Sequence, residues 1–256
     1  MIEYQDIHKA FETPVLSGVS LTVETGECLS IVGPSGTGKS VLLKTTNGLL
    51  RPDRGDVFIN GESVFNSGRR ELQKIRRKIG YVFQNAALFD SMTVGENICQ
   101  GLPDQEARRL RSPDVLRKVC EALEDVNLKP EQVINELPGT LSGGMRKRVG
   151  LARAIVGQPE ILLYDEPTTG LDPVNSAVIS LLINDIQKRM KVTSVVVTHN
   201  IEQALEISTR IALLESGKLR FVGLPGEFKA SQDTVVQAFA DRQVATATAL
   251  KIMEES

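Results

Sequence analysis

The sequence predicts an α/β fold in which helices cover both faces of a mostly parallel sheet. Short apolar segments at 29–32, 161–164 and 194–198 have the composition of buried strands, and a helix-prone segment follows each of them. Such alternation is typical of parallel sheets, whose strands are buried on both faces. The 256 residues are 41% hydrophobic and 24% charged, which is close to the average for a chain with a hydrophobic core.

The first part of the chain predicts β-strands and turns. Leu21 and Val23 alternate with polar residues ahead of Gly26, a pattern that indicates strands and turns. Residues 56–65 predict a hairpin around Asn60-Gly61, because this pair is favoured in two-residue β-turns.

A polar, helix-prone stretch occupies the middle of the chain. Residues 69–78 carry six basic side chains, which we interpret as a solvated helix face ahead of a strand at 79–83. Residues 92–134 are interrupted by prolines, which break helices. We therefore predict a helical subdomain inserted into the α/β fold.

The α/β pattern resumes after Ile155. The predicted elements are strand 161–164 with a helix near 174–190, strand 194–198 with a helix near 201–208, and strand 211–214 with a turn at Ser216-Gly217. Beyond about residue 231 the chain is helix-prone. There Val235, Val236 and Phe239 form one apolar helical stripe, expected to pack on its own domain rather than on a dimer partner.

Charge and cysteine content narrow the classes of function. The net charge is −2 and the pI about 5.9, which argues against nucleic acid as the main ligand. Cys28, Cys99 and Cys120 show no zinc-binding spacing, and sparse cysteines fit a reducing compartment. No signal peptide and no apolar run of membrane-spanning length is evident. We therefore expect a soluble, cytosolic chain.

Residues 33–40, Gly-Pro-Ser-Gly-Thr-Gly-Lys-Ser, fit the phosphate-loop pattern G-x-x-x-x-G-K-[ST] without a mismatch. The glycines let backbone N–H groups surround a phosphate chain, and the following helix adds its positive end. Lys39 would reach the β- and γ-phosphates, and Ser40 would ligate Mg²⁺. The predicted nucleotide-binding residues here are Gly33, Pro34, Ser35, Gly36, Thr37, Gly38, Lys39, Ser40 and Val41. The loop alone does not separate a kinase from a GTPase or an ATPase.

An acidic pair, Asp165 and Glu166, follows strand 161–164 directly. Ligands of α/β sheets bind at the carboxyl ends of the strands. Asp165 is suited to hold Mg²⁺, and Glu166 is suited to act as general base on the attacking water. The alternative for such a pair is a solvated turn.

A Ser-Gly-Gly sequence within Leu141–Met145 opens a predicted helix. Ser142 is a natural N-cap, and Gly143 and Gly144 leave N–H groups open to an anion. On its own this sequence is usually only a loop, and the other interpretation is a second phosphate site within one chain.

Taken together, these motifs resemble the ATP-binding cassette (ABC) family over about residues 2–228. Residues 141–145 are similar to the family's signature, Gln84 to its Q-loop glutamine, and Asp172 to its D-loop aspartate. His199 is similar to the switch histidine. Phe11 is similar to the aromatic residue that stacks on adenine. The alternatives are a polar residue at a strand end for Gln84, an ordinary histidine for His199 and a core residue for Phe11.

The resemblance implies a P-loop NTPase (RecA-like) core with an N-terminal antiparallel β subdomain and an inserted helical subdomain. It implies an ATPase domain over 1–230, with the insert at about 87–155 and a helical tail over 231–256. The implied catalytic residues are Glu166, His199, Lys39 and Gln84, and the implied Mg²⁺ ligands are Ser40, Gln84 and Asp165. Ser142, Gly143, Gly144 and Asp172 would act in trans, on ATP held by a second copy of the chain in a head-to-tail homodimer.

Longer segments are most similar to ATPase subunits of MCE-associated lipid transporters, of which the bacterial Mla phospholipid system is an example. These segments are 83–97, 141–155 with its Met145-Arg-Lys-Arg run, 166–174 and 211–215. Asn200 and Thr140 depart from the usual Asp and Gln. The implied partners are an integral membrane permease and an MCE-type lipid-binding protein. The permease would be gripped by the helical insert near 87–135 and the region after Gln84, which includes Leu88-Phe89. The implied location is the cytoplasmic face of the bacterial inner membrane. For Leu88-Phe89 the alternative is core packing.

Three other functions remain open from the sequence. One is the ATPase of an importer for amino acids or another small solute. A second is a soluble ABC ATPase acting on nucleic acid, although such proteins usually carry a coiled-coil insertion or two cassettes. A third, a regulatory ATP binder without hydrolysis, is disfavoured by the presence of Glu166 and His199.

Overall fold

A computed structural model describes residues 1–103 and 112–241. It divides into two compact units, one formed by Met1–Asn66 with the chain from Val196 onward, and the other by Ser67–Val195. Part of the predicted helical insert and most of the predicted tail, 104–111 and 242–256, lie outside the described residues.

The first unit contains an antiparallel sheet formed by β1 (Ile2–Ala10), β2 (Pro14–Val23), β4 (Arg54–Ile59) and β5 (Glu62–Ser63). The order of these strands in the sheet is β2-β1-β4-β5. The predicted hairpin joins β4 to β5, with positive φ at Asn60 (50°) and Gly61 (80°). Positive φ at both central residues is what a type I′ turn requires, so this prediction is confirmed.

The same unit carries parallel strands. β3 (Cys28–Val32) pairs in parallel with β9 (Arg210–Glu215), and β10 (Lys218–Gly223) pairs antiparallel with β9. β3 is buried along its whole length, as expected for a strand covered on both faces. The helices here are α1 (Lys39–Thr46), α8 (Ile201–Ile207) and α9 (Pro225–Lys229).

The apolar stripe of the tail packs inside this first unit. Residues 234–241 are helical, and Val236 and Phe239 are buried together with Val32, Ile201 and Phe228. Val235 packs against the same cluster. The expectation that the stripe packs on its own domain is confirmed for these residues.

The second unit is mainly helical around two parallel strands. Its elements are α2 (Arg69–Arg77), β6 (Ile79–Val82), α3 (Val94–Cys99), α4 (Pro113–Glu124), α5 (Pro130–Val133), a short 3₁₀ turn (Pro138–Thr140), α6 (Gly143–Ile155), β7 (Ile161–Asp165) and α7 (Pro173–Met190). β6 and β7 pair in parallel from Ile79 opposite Ile161. β8 (Thr193–Thr198) begins in this unit and ends in the first.

The two units together bear out the predicted fold class. Parallel pairing of β3 with β9 and of β6 with β7 is combined with an N-terminal antiparallel sheet and intervening helices. The basic α2 is solvated, and Ile75 is its buried residue. Within 1–103 and 112–241, we find no helix that has both the length and the apolar character needed to cross a bilayer.

Candidate nucleotide-binding site

The loop between β3 and α1 has a backbone that only glycine fits well. Gly36 and Gly38 have φ of 82° and 99°, in the left-handed region. A β-carbon at Gly33 would collide with the carbonyl oxygen of Leu214, and one at Gly38 would lie 2.9 Å from side-chain carbons of Val15 and Leu16. The glycines therefore permit both the turn and its close packing on the strands beside it.

The Lys39 ammonium lies against the inside of this loop. It is 5% exposed and donates to the carbonyl oxygens of Gly33 and Pro34, each at 2.8 Å. Thr37 Oγ1 also donates to the Pro34 carbonyl, at 2.9 Å. At the start of α1, Gly38 occupies the N-cap position and offers no side chain to the first N–H groups. A positive charge and a helix N-terminus thus flank one loop, which suits a polyphosphate.

Phe11 lies in the connection between β1 and β2. Its side chain is 62% exposed, and Lys9 Nζ is 5.6 Å from the ring centroid. This exposure rules out the alternative that Phe11 is a core residue, and it leaves a ring face open to a planar ligand.

The acidic pair ends β7 in two different environments. Asp165 is the last residue of the strand, is 6% exposed, and accepts a hydrogen bond from Tyr81 Oη at 3.0 Å. Glu166 has a φ of 48°, which is uncommon for a residue with a side chain. Its carboxylate accepts from Thr169 Oγ1 at 3.2 Å. A buried aspartate followed by a strained glutamate differs from a solvated turn, and such strain is concentrated at functional sites.

Ser142 caps the helix that carries the signature sequence, as predicted. Its Oγ accepts the Met145 N–H at 3.3 Å, and Ser142 and Gly143 are exposed. The N-terminal end of α6 is therefore accessible to a ligand or to another chain.

Asp172 caps α7 in the same way. It accepts from the backbone N–H of Asn175 at 2.9 Å and from Asn175 Nδ2 at 2.5 Å. These hydrogen bonds hold the pKa of Asp172 below its usual value. The predicted D-loop aspartate is thus an anion with a fixed orientation.

The exposed side chain of Gln84 projects from a segment that α6 holds by its backbone. Lys147 Nζ donates to the Gln84 carbonyl oxygen. Arg153 donates to the carbonyl oxygens of Ala86 at 2.5 Å and Ala87 at 2.7 Å. These contacts were not predicted from the sequence. The sequence does show two basic residues six positions apart on one predicted helix. It does not show their acceptors, because every residue has a main-chain carbonyl.

His199 follows β8 and is exposed. The next residue, Asn200, caps α8 by accepting the Gln203 N–H at 3.0 Å. Asparagine and aspartate are comparable N-caps, so this departure from the family pattern preserves the local structure. At the other departure, Thr140 Oγ1 donates to the Glu136 carboxylate at 2.8 Å.

The predicted site residues are distributed over both units. The first unit carries Phe11, the loop from Gly33 to Val41, and His199. The second unit carries the remaining predicted residues: Gln84, Ser142, Gly143, Gly144, Asp165, Glu166 and Asp172.

A glycine-rich loop between a buried parallel strand and a helix, with a lysine at its inner surface, defines a P-loop nucleoside triphosphatase. The profile of the family described as ABC transporter matches residues 16–169. The chain belongs to this family, in which it is an ATP-binding, ATP-hydrolysing subunit.

Several curated proteins are similar over most of the chain. Protein TRIGALACTOSYLDIACYLGLYCEROL 3, chloroplastic, of Arabidopsis thaliana is 41% identical over 94% of this chain and 73% of its own length. The probable ribonucleotide transport ATP-binding protein mkl of Mycobacterium tuberculosis is 40% identical over 93% of this chain and 66% of its own. The methionine import ATP-binding protein MetN of Mesorhizobium japonicum is 37% identical over 95% and 63%.

Solved structures show the same architecture. The ATP-binding cassette MJ0796, in a dimeric post-hydrolysis state bound to ADP and Pi, superposes with a TM-score of 0.78 at 32% identity, covering 88% of this chain and 99% of that one. The cbiO1 protein of Clostridium perfringens, part of the ABC transporter complex cbiONQ, has a TM-score of 0.76 at 27% identity and covers 98% of both chains.

Proposed function

We propose that the chain works as a head-to-tail homodimer that closes around two ATP molecules and so drives a membrane transporter for lipid. In each site, Gly33–Ser40 of one copy would hold the phosphates, and Ser142–Gly144 of the other would complete their binding. The observation that carries this proposal is the exposed, serine-capped N-terminus of α6 in a chain with a complete phosphate loop. The dimeric MJ0796 cassette supports it.

The residues present fit ATP and Mg²⁺. A loop with left-handed glycines and a buried ammonium suits the phosphates. The hydroxyl of Ser40, the amide of Gln84 and the carboxylate of Asp165 offer the hard oxygen ligands that Mg²⁺ prefers. When bound, the ion would neutralise charge on the phosphates. Phe11 would stack on the adenine.

The remaining proposed roles concern the attacking water and the γ-phosphate. Glu166 would accept a proton from the water, and Thr169 holds one of its carboxylate oxygens. His199 would contact the γ-phosphate and report its loss. Asp172 would act across the dimer. Because ATP binds both copies and ADP lacks the γ-phosphate, hydrolysis would shift the population from closed dimer to open.

A mixing experiment tests whether each site is shared between two copies. Lys39→Ala removes the loop's cation, and Ser142→Arg blocks the capped helix end. Each variant alone should be inactive. In an equimolar mixture, random pairing makes half the dimers mixed, with one intact site of two, so about one quarter of wild-type ATPase activity is expected.

The matched control is Lys39→Ala mixed with Ser40→Ala, which places both defects in the phosphate loop. No activity should return there, since every site keeps a defective loop. Recovery in the control, or none in the Lys39→Ala and Ser142→Arg mixture, would contradict the shared site.

The lipid substrate rests on resemblance. The segments at 83–97, 141–155 and 166–174 are most similar to ATPases of MCE-associated lipid transporters, and a relative at 41% identity bears the name of a glycolipid. The partners would be a membrane permease and an MCE-type lipid-binding protein, at the cytoplasmic face of the bacterial inner membrane. Phe89, 51% exposed, lies in the segment proposed to grip the permease, within a helical insert at about 87–155.

The rival is import of a small solute, favoured by the similarity to MetN at 37% identity. The chain should be purified with its permease in detergent, and phospholipid or a small solute should then be added to the complex. Stimulation of ATP hydrolysis by phospholipid, together with phospholipid in the purified complex, is the expected result. Stimulation by methionine or another small solute would instead select the importer.

A further inference from the structure

One face of α6 is turned toward the chain that follows Gln84. Lys147 lies in the first half of the helix, Gly150 one turn later and Arg153 near the end. A β-carbon at Gly150 would lie 3.1 Å from Cβ of Ala86. The absence of a side chain there allows helix and segment to approach closely, which brings both cations within reach of backbone carbonyls.

The segment 84–87 has an unusual backbone shape. Ala86 and Ala87 have φ of 57° and 48°, two successive left-handed residues that are not glycine. Such conformations persist only where surrounding contacts maintain them. The hydrogen bonds from Arg153 to the Ala86 and Ala87 carbonyls, and from Lys147 to the Gln84 carbonyl, supply those contacts.

Burial of the Lys147 ammonium at this position is unfavourable for folding. It is 8% exposed, and burial lowers its pKa, while the Glu166 carboxylate acts in the opposite direction. A buried ammonium is destabilising unless hydrogen bonds and charge compensate it. Arg153 already anchors the segment at Ala86 and Ala87, so stability alone gives little reason for a second buried cation at Gln84.

We propose that Lys147 is a positioning residue for ATP hydrolysis, which orients the Gln84 side chain by holding the Gln84 main-chain carbonyl. Through this bond the first turns of the signature helix and the glutamine would move as one piece. The inference rests on the proposed role of Gln84 beside Mg²⁺ and the attacking water. Lys147 itself would touch neither.

A double-mutant cycle with single-turnover hydrolysis separates this role from a structural one. Lys147→Met keeps a long side chain and removes the donor, so it should slow single-turnover hydrolysis about tenfold, as loss of outer-shell partners does. ATP affinity should change little. In a Gln84→Ala background the same change should have no further effect, because the side chain it positions is gone. The single-turnover assay should cover times long enough to measure the slow hydrolysis of the double variant.

Arg148→Met is the matched control on the same helix. Arg148 donates to the Asn127 carbonyl at 3.0 Å, away from Gln84. Any effect of Arg148→Met should be the same in the wild-type chain and in the Gln84→Ala background. If Lys147→Met does not fold, Lys147→Leu, which also has no donor, takes its place in the cycle, with the same outcomes deciding.

The outcomes distinguish two failures. If Gln84→Ala hydrolyses ATP at the wild-type rate, the proposed role of Gln84 is wrong and the inference falls with it. If Gln84→Ala is slow but Lys147→Met slows both backgrounds equally, the inference alone is wrong. A wild-type rate for Lys147→Met overturns it as well.

Discussion

Asn175 lies over Gly144 so closely that its side-chain oxygen is 2.5 Å from the position a β-carbon would take there. The same asparagine donates two hydrogen bonds to Asp172. Within the second unit, the Asn175 side chain thus contacts both Gly144, in the predicted signature sequence, and Asp172, the predicted D-loop aspartate. Substitution of Gly144 and substitution of Asn175 should therefore have non-additive effects on the free energy of unfolding.

Gly144→Ala should therefore destabilise the protein by about 1–3 kcal/mol through overpacking. Asn175→Ala removes the crowded atoms, because only its Cβ, at 3.5 Å, remains near. The double variant should lose less stability than the sum of the two single changes, measured by chemical denaturation. Gly143→Ala is the control: the nearest atom to its β-carbon would be Leu171 Cδ2 at 3.9 Å, so little change is expected. If the stability losses of Gly144→Ala and Asn175→Ala add up exactly in the double variant, the contact between these two residues is contradicted.

Phe11→Ala should weaken ATP binding without affecting folding. Stacking of a base on an aromatic ring contributes about 1–3 kcal/mol by alanine substitution. The ring is 62% exposed, so its removal takes little from the core and the Tm should stay unchanged. Titration with ATP measures the affinity, and Phe11→Tyr, which keeps the ring, should bind as wild type does. Equal affinity for the alanine and tyrosine variants would show that the ring does not meet the base.

Asn200→Ala should destabilise the protein by about 1 kcal/mol, since it removes the N-cap of α8. Asn200→Asp should lie within a few tenths of wild type because aspartate caps equally well. The measurement is a comparison of the denaturation midpoints of wild type, Asn200→Ala and Asn200→Asp. If alanine is tolerated as well as aspartate, the cap does not hold this end of the helix.

Alkaline pH should destabilise the protein through Tyr4. Burial raises the pKa of Tyr4 to about 12, whereas an unfolded tyrosine has a pKa near 10. Between these values the folded chain binds more protons than the unfolded chain. Stability therefore falls as pH rises through that window.

The measurement is the free energy of unfolding of wild type and Tyr4→Phe at several pH values from 9 to about 12. Phenylalanine also loses the 2.7 Å hydrogen bond with Thr46, which costs about the same at each pH below the window. The wild-type curve should fall more steeply above pH 10. Parallel curves would mean that Tyr4 ionises in the folded chain as it does in the unfolded one.

The parts of the fold that could be predicted are those where one physical requirement governs each residue. β3 and β7 are buried along their lengths, so their sequences are mostly apolar, with Ser30 inside β3 and Asp165 at the end of β7 as exceptions. The phosphate loop needs glycine at Gly36 and Gly38 for their backbone angles. Each requirement is visible in the residue type itself.

β1 and β10 were not predicted, because the hydrophobic alternation is interrupted in β1 and weak in β10. β1 was not predicted, since Asp6 at φ 51° and a register shift between Tyr4 and Ile7 interrupt its alternation. β10 alternates only between exposed and half-buried positions.

The bonds from Lys147 and Arg153 end on main-chain carbonyls, which every residue type possesses, so no sequence pattern could reveal them.

The most direct measurement of the central claim is the solution mass of Glu166→Gln with Mg²⁺ and ATP. Removing the proposed base should stop hydrolysis while leaving ATP in place, so light scattering should give twice the chain mass of 28.0 kDa. With ADP the same variant should return to the mass of one chain. A single-chain mass in ATP, or hydrolysis at the wild-type rate, would contradict an ATP-closed dimer with Glu166 as its base.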